Sequence, residues 1–253
     1  MKLNGRTVLI TGGTSGIGLE LAKQLVARRN TVLITGRDAH RLEKTKSDLP
    51  LHVYVCDAGK PDDIESLGKR VLSEFPGLDT LINNAGIMRN LDLNQPQRLT
   101  DVTQEISVNL NGPMQTVQAF LPHLKTRANA LIVNISSGLA FVPFPLSPVY
   151  SAAKAGLHAY TRCLRVQLKR SGIKVVELAP PGVETPLFRG EFEKEMRGQK
   201  AMDVAVLVQK AIAGIEAGKT EIRPGLSNVL YLLSRFAPQL PFGQMAKMVE
   251  SAS

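Results

Sequence analysis

Short apolar runs along the chain alternate with segments in which apolar residues recur every three or four positions. The runs predict buried strands, and the periodic segments predict helices packed against them. Seven runs have this strand character, at residues 6–10, 31–35, 51–56, 80–82, 130–136, 173–179 and 220–223. Because strands and helices alternate, we predict an α/β fold with one parallel sheet of about seven strands and helices on both of its faces.

The helical segments place their apolar residues on one face. We predict helices at residues 61–75, 103–124, 152–168, 187–198 and 204–217, and a further helix that carries Leu21 and Leu25. The tail, from about 224 to 253, contains an apolar stripe that we expect to be broken at Pro238 and Pro241. We interpret this tail as helix packed on the core or on a partner subunit, in preference to attachment to an anionic membrane surface.

The first strand runs into a glycine-rich turn, Thr11-Gly-Gly-Thr-Ser-Gly-Ile-Gly18, and a helix follows. Glycines in such a turn permit a tight bend, a close approach to a pyrophosphate and close packing of the helix on the strand. The amides at the helix N-terminus face the anion. The turn therefore predicts a dinucleotide site on a doubly wound, Rossmann-type sheet. The cofactor contacts expected from the turn are Gly12, Thr14, Ser15, Gly16, Ile17 and Gly18.

Tyr150 and Lys154 are four residues apart, which places them on one helix face. A nearby ammonium group favours a phenolate and lowers the pKa of a phenol from its ordinary value of about 10. Such a pair can move a proton to or from a carbonyl or alcohol oxygen. The alternative for the pair alone is a half-buried tyrosine beside a solvated lysine.

Composition excludes several functional classes. The chain has 31 Lys and Arg residues against 22 Asp and Glu residues, but the basic residues are dispersed and only 5% of residues are aromatic, which argues against nucleic-acid binding. No acidic residue occurs between Glu105 and Glu177, and this positive middle favours an anionic cofactor. Cys56 and Cys163 lack metal-type spacing, so no metal site is indicated. Without a leader, a membrane-spanning run or a linker, we expect one cytoplasmic domain over residues 1–253.

The order and spacing of five motifs resemble the short-chain dehydrogenase/reductase family over essentially the whole chain. These motifs are the turn at 11–18, Asn83-Asn-Ala-Gly86, Asn109, Ser137 and Tyr150-x-x-x-Lys154. The resemblance implies that Tyr150 is the proton donor or acceptor and that Lys154 lowers its pKa and binds the nicotinamide ribose. It also implies that Ser137 hydrogen-bonds the reacting oxygen and that Asn109 holds a water molecule. Ser136 competes with Ser137 for this role, but side chains alternate along a strand, so only one of the two serines can face the site.

The resemblance also implies contacts to the cofactor. Asn83 and Gly86 would frame the adenosine, and Asp57 would touch the adenine unless it only caps a turn. In the segment Pro180-Pro-Gly-Val-Glu-Thr185, the Val183 backbone and the Thr185 side chain would hold the nicotinamide amide. The implied contacts are Asp57, Asn83, Ala85, Gly86, Tyr150, Lys154, Pro180, Val183 and Thr185. Pro181 stands where the family usually has glycine, and this Pro-Pro form and the apolar tail resemble a DltE-type branch.

The end of the second strand predicts the coenzyme. NAD-preferring sites place a carboxylate there, where it accepts hydrogen bonds from the ribose hydroxyl and repels a 2′-phosphate. Here the position is Gly36, and the next residue, Arg37, can donate to a phosphate. Asp38 is the counter-argument, because an error of one residue would put a carboxylate in place. We predict NADP(H) over NAD(H).

These observations favour an oxidoreductase that transfers hydride between NADP(H) and a carbonyl compound or secondary alcohol. Its expected substrate walls, residues 87–91, 139–146 and 187–196, are largely apolar and favour a hydrophobic ketone, with Arg89 either an anion contact or a solvated loop residue. The alternatives are a 3-oxoacyl reductase acting on carrier-bound or CoA-bound chains, and a regulatory protein that senses the nucleotide without turnover. The family resemblance implies homodimers or homotetramers formed through the helices that carry Asn109 and Lys154.

Overall fold

The computed structural model of the chain describes residues 1–192 and 198–250, with side chains up to Lys247. Within this part of the chain, seven parallel strands form one sheet in the order β3-β2-β1-β4-β5-β6-β7. The strands are β1 Thr7–Ile10, β2 Thr31–Gly36, β3 His52–Val55, β4 Thr80–Asn83, β5 Leu131–Ile135, β6 Lys174–Leu178 and β7 Glu221–Ile222. The chain order reverses between β1 and β4, which confirms the predicted doubly wound fold.

Helices cover both faces of the sheet. They are α1 Gly16–Ala27, α2 Ala39–Asp48, α3 Pro61–Glu74, α4 Leu99–Ile106, α5 Gly112–Leu124, α6 Pro148–Gln167, α7 Pro186–Arg189, α8 Val204–Glu216, α9 Leu226–Phe236 and α10 Gln239–Glu250. A π-helical segment, Ser107–Asn111, joins α4 to α5, and a 3₁₀ turn, Gly138–Ala140, follows β5.

The core is divided into two layers because side chains alternate along each strand. In β1, Val8 and Ile10 pack with residues of α1 and α8, whereas Leu9 packs on the opposite face with residues of α3, α5 and α6. All three side chains are fully buried. The strands therefore read as continuous apolar runs, as expected for a parallel sheet covered on both faces.

The helix predicted at 103–124 begins earlier, at Leu99, and changes to π geometry at Ser107–Asn111. Pro113 provides the physical reason, because it has no amide hydrogen to donate to the carbonyl of Asn109, its partner in a regular α-helix. The amide of Gly112 instead donates to the carbonyl of Ser107, five residues back. The π segment thus contains Asn109, which the sequence analysis predicts to be a site residue.

Two other predicted boundaries were wrong. Of the helix expected at 187–198, the described residues show only the short α7, which ends at Arg189, and residues 193–197 of that prediction lie outside the described chain. The tail is broken near Pro238, between α9 and α10, but α10 continues through Pro241. A proline is tolerated in a first helical turn, where the amide that it lacks would have no intrahelical partner.

Candidate active site

A cavity of about 440 Å³ lies at the carboxyl ends of the central strands. The glycine turn after β1 lies along one part of it, and Ser137, Tyr150 and Lys154 lie along another. Between these two groups, the segment after β4 and the segment after β6 also line the cavity. The position agrees with the rule that ligands of open α/β sheets bind beyond the strand ends, where the strand order reverses.

The glycine turn has no room for side chains at its critical positions. Gly12 has a φ of +70°, and a Cβ atom there would lie 2.8 Å from the Cα atom of Ala85. A Cβ atom on Gly18 would lie 2.1 Å from the carbonyl oxygen of Gly12, so Gly18 serves helix packing and does not face the cavity. The other turn residues predicted to contact a cofactor do line it, namely Thr14, Ser15, Gly16 and Ile17.

Asn84, which the sequence analysis did not single out, holds the glycine turn in place. Its side-chain amide donates to the carbonyl oxygens of Thr11 and Gly12, at 3.0 and 2.8 Å. The hydroxyl of Thr11 in turn accepts hydrogen bonds from the amides of Asn84 and Ala85, at 3.0 and 3.1 Å. The sequence could have indicated this role. Asn84 is the first residue after β4, and the side chain of the last strand residue, Asn83, is buried.

Asn83, predicted to lie beside the adenosine, does not line the cavity, and its side chain is bonded within the fold. The residue is buried, and its amide donates to the side-chain oxygen of Asn134 at 2.8 Å. Asn134 in turn donates to Thr161 at 2.9 Å. Asn83 therefore ties β4 to β5 and, through Asn134, to α6. Ala85 and Gly86, the other two predicted residues of this motif, do line the cavity.

The end of the cavity beyond β2 and β3 is lined by Arg37, Asp38, Arg41 and Asp57. Asp38 caps α2, because its side chain accepts from the amide of Arg41 at 3.1 Å and lies 3.5 Å from the guanidinium of the same residue. Asp57 caps its own turn by accepting from the amide of Gly59 at 2.9 Å. The carboxylate of Asp38 is thus already engaged with Arg41, and Arg37 supplies the cationic side chain at the strand end.

Ser137 and Tyr150 line the opposite end of the cavity, where the phenol is buried and the Ser137 hydroxyl favours its ionised form. The hydroxyl of Ser137 also accepts from the amide of Leu139 at 3.1 Å. Ser136 turns the other way, and its hydroxyl donates to the buried carboxylate of Glu177 at 2.5 Å. The alternation of side chains beyond β5 therefore brings Ser137, and not Ser136, to the phenol.

Lys154 lies one turn after Tyr150 on α6. Its ammonium donates to the carbonyl oxygen of Ile135 at 2.9 Å and lies 5.6 Å from the centre of the Tyr150 ring. Burial lowers the pKa of Lys154 to about 8. Burial, with a smaller contribution from the charge of Glu105, raises the pKa of Tyr150 to about 12, and the Ser137 hydroxyl offsets only part of this rise. The phenol pKa is thus higher than the ordinary value, opposite to the direction expected from the Tyr–Lys spacing.

Asn109 is fully buried in the π segment, and both ends of its amide are occupied. Its oxygen accepts from the amide of Ile87 at 3.2 Å, and its nitrogen donates to the carbonyl of Ile87 at 2.8 Å. The side chain therefore fixes the segment after β4. The expected contact with a water molecule would fall to the backbone carbonyl of Asn109, which Pro113 deprives of its α-helical donor.

The segment after β6 completes the polar part of the site. Pro180, Val183 and Thr185 all line the cavity, as do Pro181 and Gly182. The Val183 backbone is fixed by a bridge to Met202, since the amide of Met202 donates to Gly182 at 2.8 Å and its carbonyl accepts from the amide of Glu184 at 3.0 Å. A Cβ atom on Gly16 would lie 3.2 Å from the Thr185 methyl group, so this segment closes over the glycine turn.

The remaining wall is apolar. Phe144 and Phe192 are buried, with ring centres 5.9 Å apart, and other apolar side chains pack around them. The apolar lining of this wall includes Met88, Leu139, Phe144, Leu187, Phe188, Phe192, Leu226, Leu230 and Met245. The last three belong to α9 and α10, so the tail contributes to the cavity, which the sequence analysis did not anticipate.

Arg89 has neither of the two roles considered from the sequence. Its guanidinium forms an ion pair with Asp101 at 3.0 Å and donates to Gln104 at 2.5 Å, so it binds α4 and does not line the cavity. In the described residues, no cluster of His, Cys, Asp and Glu could hold a metal ion. No helix in the same residues is both long and apolar enough to cross a membrane.

Comparison with known proteins shows similarity along most of the chain. A family model described as short chain dehydrogenase matches residues 6–196. The uncharacterized oxidoreductase DltE of Bacillus subtilis is 40% identical over 224 residues, which cover 88% of this chain and 89% of that protein.

Two solved structures have the same fold. A short-chain dehydrogenase from Sphingobium yanoikuyae in complex with NADPH matches with a TM-score of 0.80 and 26% identity, covering 97% of this chain and 96% of that one. A 3-ketoacyl-(acyl-carrier-protein) reductase from Brucella melitensis complexed with NADH matches with a TM-score of 0.76 and 26% identity, covering 89% and 94%.

Proposed function

Because the chain belongs to the short-chain dehydrogenase family, we propose that it transfers hydride between NADP(H) and a carbonyl compound or secondary alcohol. One observation carries this proposal. A buried phenol, which shares its end of the cavity with a serine and a buried ammonium group, faces a glycine turn that tolerates no side chain at Gly12. Reactive groups and a dinucleotide cradle thus face the same space.

The residues around the cavity fit a nicotinamide dinucleotide. The glycine turn and the first amides of α1 would receive the pyrophosphate, Asp57 and Arg37 lie where the adenosine would be held, and Lys154 would bind the nicotinamide ribose. The backbone of Val183 and the side chain of Thr185 would hold the nicotinamide amide. Such a cofactor supplies the hydride chemistry, while the protein supplies binding, orientation and electrostatics.

In ketone reduction, Tyr150 would give its phenolic proton to the carbonyl oxygen. The pKa of about 12 keeps the phenol protonated near neutral pH, so the acid form required for reduction is the resting form. Ser137 would donate a hydrogen bond to the same oxygen and so hold it within reach of the phenol. Lys154, with a pKa of about 8, remains mostly protonated at neutral pH, and its positive charge would stabilise the phenolate that proton transfer leaves behind.

The coenzyme is proposed to be NADP(H). Arg37 lines the cavity at the end of β2, where a 2′-phosphate would lie, and the carboxylate of Asp38 is committed to α2 and Arg41. The similar structure from Sphingobium yanoikuyae carries NADPH, whereas the one from Brucella melitensis carries NADH. The choice between NADP(H) and NAD(H) in this chain therefore depends on its own residues at the end of β2.

The apolar wall supports a hydrophobic ketone or aldehyde as substrate. The test is a panel of ketones, aldehydes and acyl thioesters, followed by the loss of reduced-nicotinamide absorbance. We expect turnover of apolar ketones that the Tyr150→Phe variant abolishes. Failure of the whole panel, with cofactor binding intact, would instead favour the regulatory nucleotide-sensing protein, although all four expected catalytic residues are present in the chain.

A second candidate function is reduction of 3-oxoacyl chains on a carrier or on CoA. The observations that favour it are the net charge of +9, which suits an acidic carrier, and the similarity to the Brucella melitensis reductase. Acyl thioesters in the panel separate the two functions. A carrier-bound substrate should lose efficiency steeply as salt rises, whereas a small neutral ketone should not.

A further inference from the structure

Glu105 is a buried carboxyl group behind the active site. It lies on the last turn of α4, two residues before the π segment that carries Asn109, and the side chain has no exposed surface. One carboxyl oxygen, Oε1, accepts from the amide of Arg89 at 3.0 Å. The other, Oε2, is buried and has no hydrogen-bond partner among the described residues. A buried oxygen without a partner in a native structure requires an explanation.

The single bond that Glu105 makes fixes the wall of the cavity. The segment 87–91 follows β4, and its residues Ile87 and Met88 line the cavity. Asn109 binds this segment at Ile87, Glu105 binds it at Arg89, and Ser147 donates to the carbonyl of Arg89 at 2.8 Å. Glu105 therefore shares with Asn109 the task of holding this wall against the α4–π–α5 helix.

The charged groups around Glu105 leave its carboxyl without a cationic partner. The guanidinium of Arg89 points to Asp101 and Gln104, although its charge still acts weakly on Glu105. From the segment after α7, the carboxylate of Glu191 accepts from the amide of Asn90 at 2.8 Å and acts on Glu105 as a like charge. On α6, the charge of Glu105 acts on the phenol of Tyr150. The ammonium of Lys154, on the same helix, donates to the carbonyl oxygen of Ile135.

These surroundings make the carboxyl gain and lose its proton near neutral pH. Burial raises the pKa of Glu105 to about 7, and the amide and charge of Arg89 offset only part of this rise. When Glu105 does lose its proton, its negative charge adds to the effect of burial and helps to raise the pKa of Tyr150. A proton on Oε2 therefore removes a charge that would make the phenol a weaker acid.

We propose that Glu105 is a positioning residue for Tyr150: its buried carboxyl holds the 87–91 wall through Arg89 and, according to whether it carries a proton, withholds or adds a negative charge that acts on the phenol where α4 packs on α6. The proposal rests on the proposed proton transfer by Tyr150. It assigns to Glu105 no contact with substrate or cofactor. It implies that loss of the Glu105 proton slows both directions of the reaction, since a phenol of higher pKa is a weaker acid and forms phenolate less readily.

The first test does not depend on turnover. In protein labelled with ¹³C at glutamate carboxyls and at tyrosine Cζ, one glutamate should titrate near pH 7, and the Cζ signal of Tyr150, assigned with Tyr150→Phe, should move with the same midpoint. Both changes should disappear in Glu105→Gln, which keeps an oxygen to accept from Arg89 but cannot ionise. Asp101→Asn is the matched control, because Asp101 also contacts Arg89 from α4, and it should leave both titrations in place.

The second test compares pH profiles of kcat/KM. The Glu105→Gln and unmodified proteins should converge below about pH 6, and above about pH 8 the variant should be several-fold faster in both directions. A purely structural role would give a ratio that does not change with pH. The proposal is wrong if no glutamate titrates above about pH 5.5, if the Tyr150 signal ignores that titration, or if Asp101→Asn abolishes it equally. Absence of turnover would count against the proposed function and leave the spectroscopic result to decide the role of Glu105.

Discussion

The buried phenol of Tyr150 shows what residue spacing can and cannot predict. Spacing placed Tyr150 and Lys154 on one face of α6, and alternation chose between two serines, because both arguments depend only on backbone geometry. Whether the pKa of the phenol is raised or lowered depends instead on burial, which is set by residues far apart in the chain. Neither the raised pKa of Tyr150 nor the buried environment of Glu105 could therefore be predicted from local patterns.

Substitutions of Lys154 and Tyr150 should differ in their effects on cofactor affinity. We expect Lys154→Met to lower kcat/KM by about 10²- to 10⁴-fold and also to weaken cofactor binding, because one ammonium serves both the phenol and the ribose. Tyr150→Phe should lose activity to a similar extent but keep its cofactor affinity, since only proton transfer is removed. Fluorescence titration with the reduced cofactor measures the difference, and unchanged affinity in Lys154→Met would contradict the double role.

Arg37 should determine coenzyme choice. Charge-assisted hydrogen bonds to a 2′-phosphate contribute on the order of 1.5 to 3 kcal/mol each, which corresponds to at least about tenfold in efficiency. We therefore expect kcat/KM to favour NADPH over NADH by about tenfold or more, and Arg37→Ala to remove most of this preference. Arg127→Ala, an exposed cation after α5, is the control and should preserve it. An unmodified protein that used NADH equally well would transfer the decisive role to Asp38.

At the scale of elements, the strands were easier to predict than the helices. A strand of this sheet is an unbroken apolar run, as in Val8, Leu9 and Ile10, because both faces are covered. The helix α2 was missed because only Leu42 and Thr45 are buried along it and the rest of its sequence is polar. The π segment was missed as well, although Pro113 marks the point where regular α-helical bonding has to fail.

The glycine turn gives a prediction that separates steric from conformational effects. Gly12 and Gly172 have nearly the same φ, +70° and +73°, but a Cβ atom on Gly172 would meet nothing within 4 Å. Both alanine variants should suffer similar backbone strain. Only Gly12→Ala should also push the segment at Ala85 away and weaken cofactor binding by tenfold or more. Calorimetric titration with NADPH measures this, and equal affinity in the two variants would remove the turn from the cofactor site.

At the scale of the whole molecule, two groups of exposed apolar side chains lie on helices that could meet another subunit. On the tail helices they include Phe236 and Leu240, which are 85% and 67% exposed. The second group includes Leu99 on α4, which leads into the π segment of Asn109, and Val166 on α6, which carries Tyr150 and Lys154; they are 82% and 74% exposed. Exposed apolar side chains that cluster on a surface can mark protein interfaces, so both groups are candidates for one.

The family resemblance favours the second group, because it implies dimers or tetramers through the helices that carry Asn109 and Lys154. We expect light scattering after size-exclusion chromatography to show a dimer or tetramer. A buried unpaired charge in an interface is strongly unfavourable, so Val166→Lys should shift the protein toward monomer while leaving its melting cooperative. Phe236→Ser on α9 is the matched control and should leave the assembly unchanged. If Phe236→Ser dissociates the protein and Val166→Lys does not, the interface lies on the tail, and the apolar wall that α9 and α10 give to the cavity would then depend on assembly.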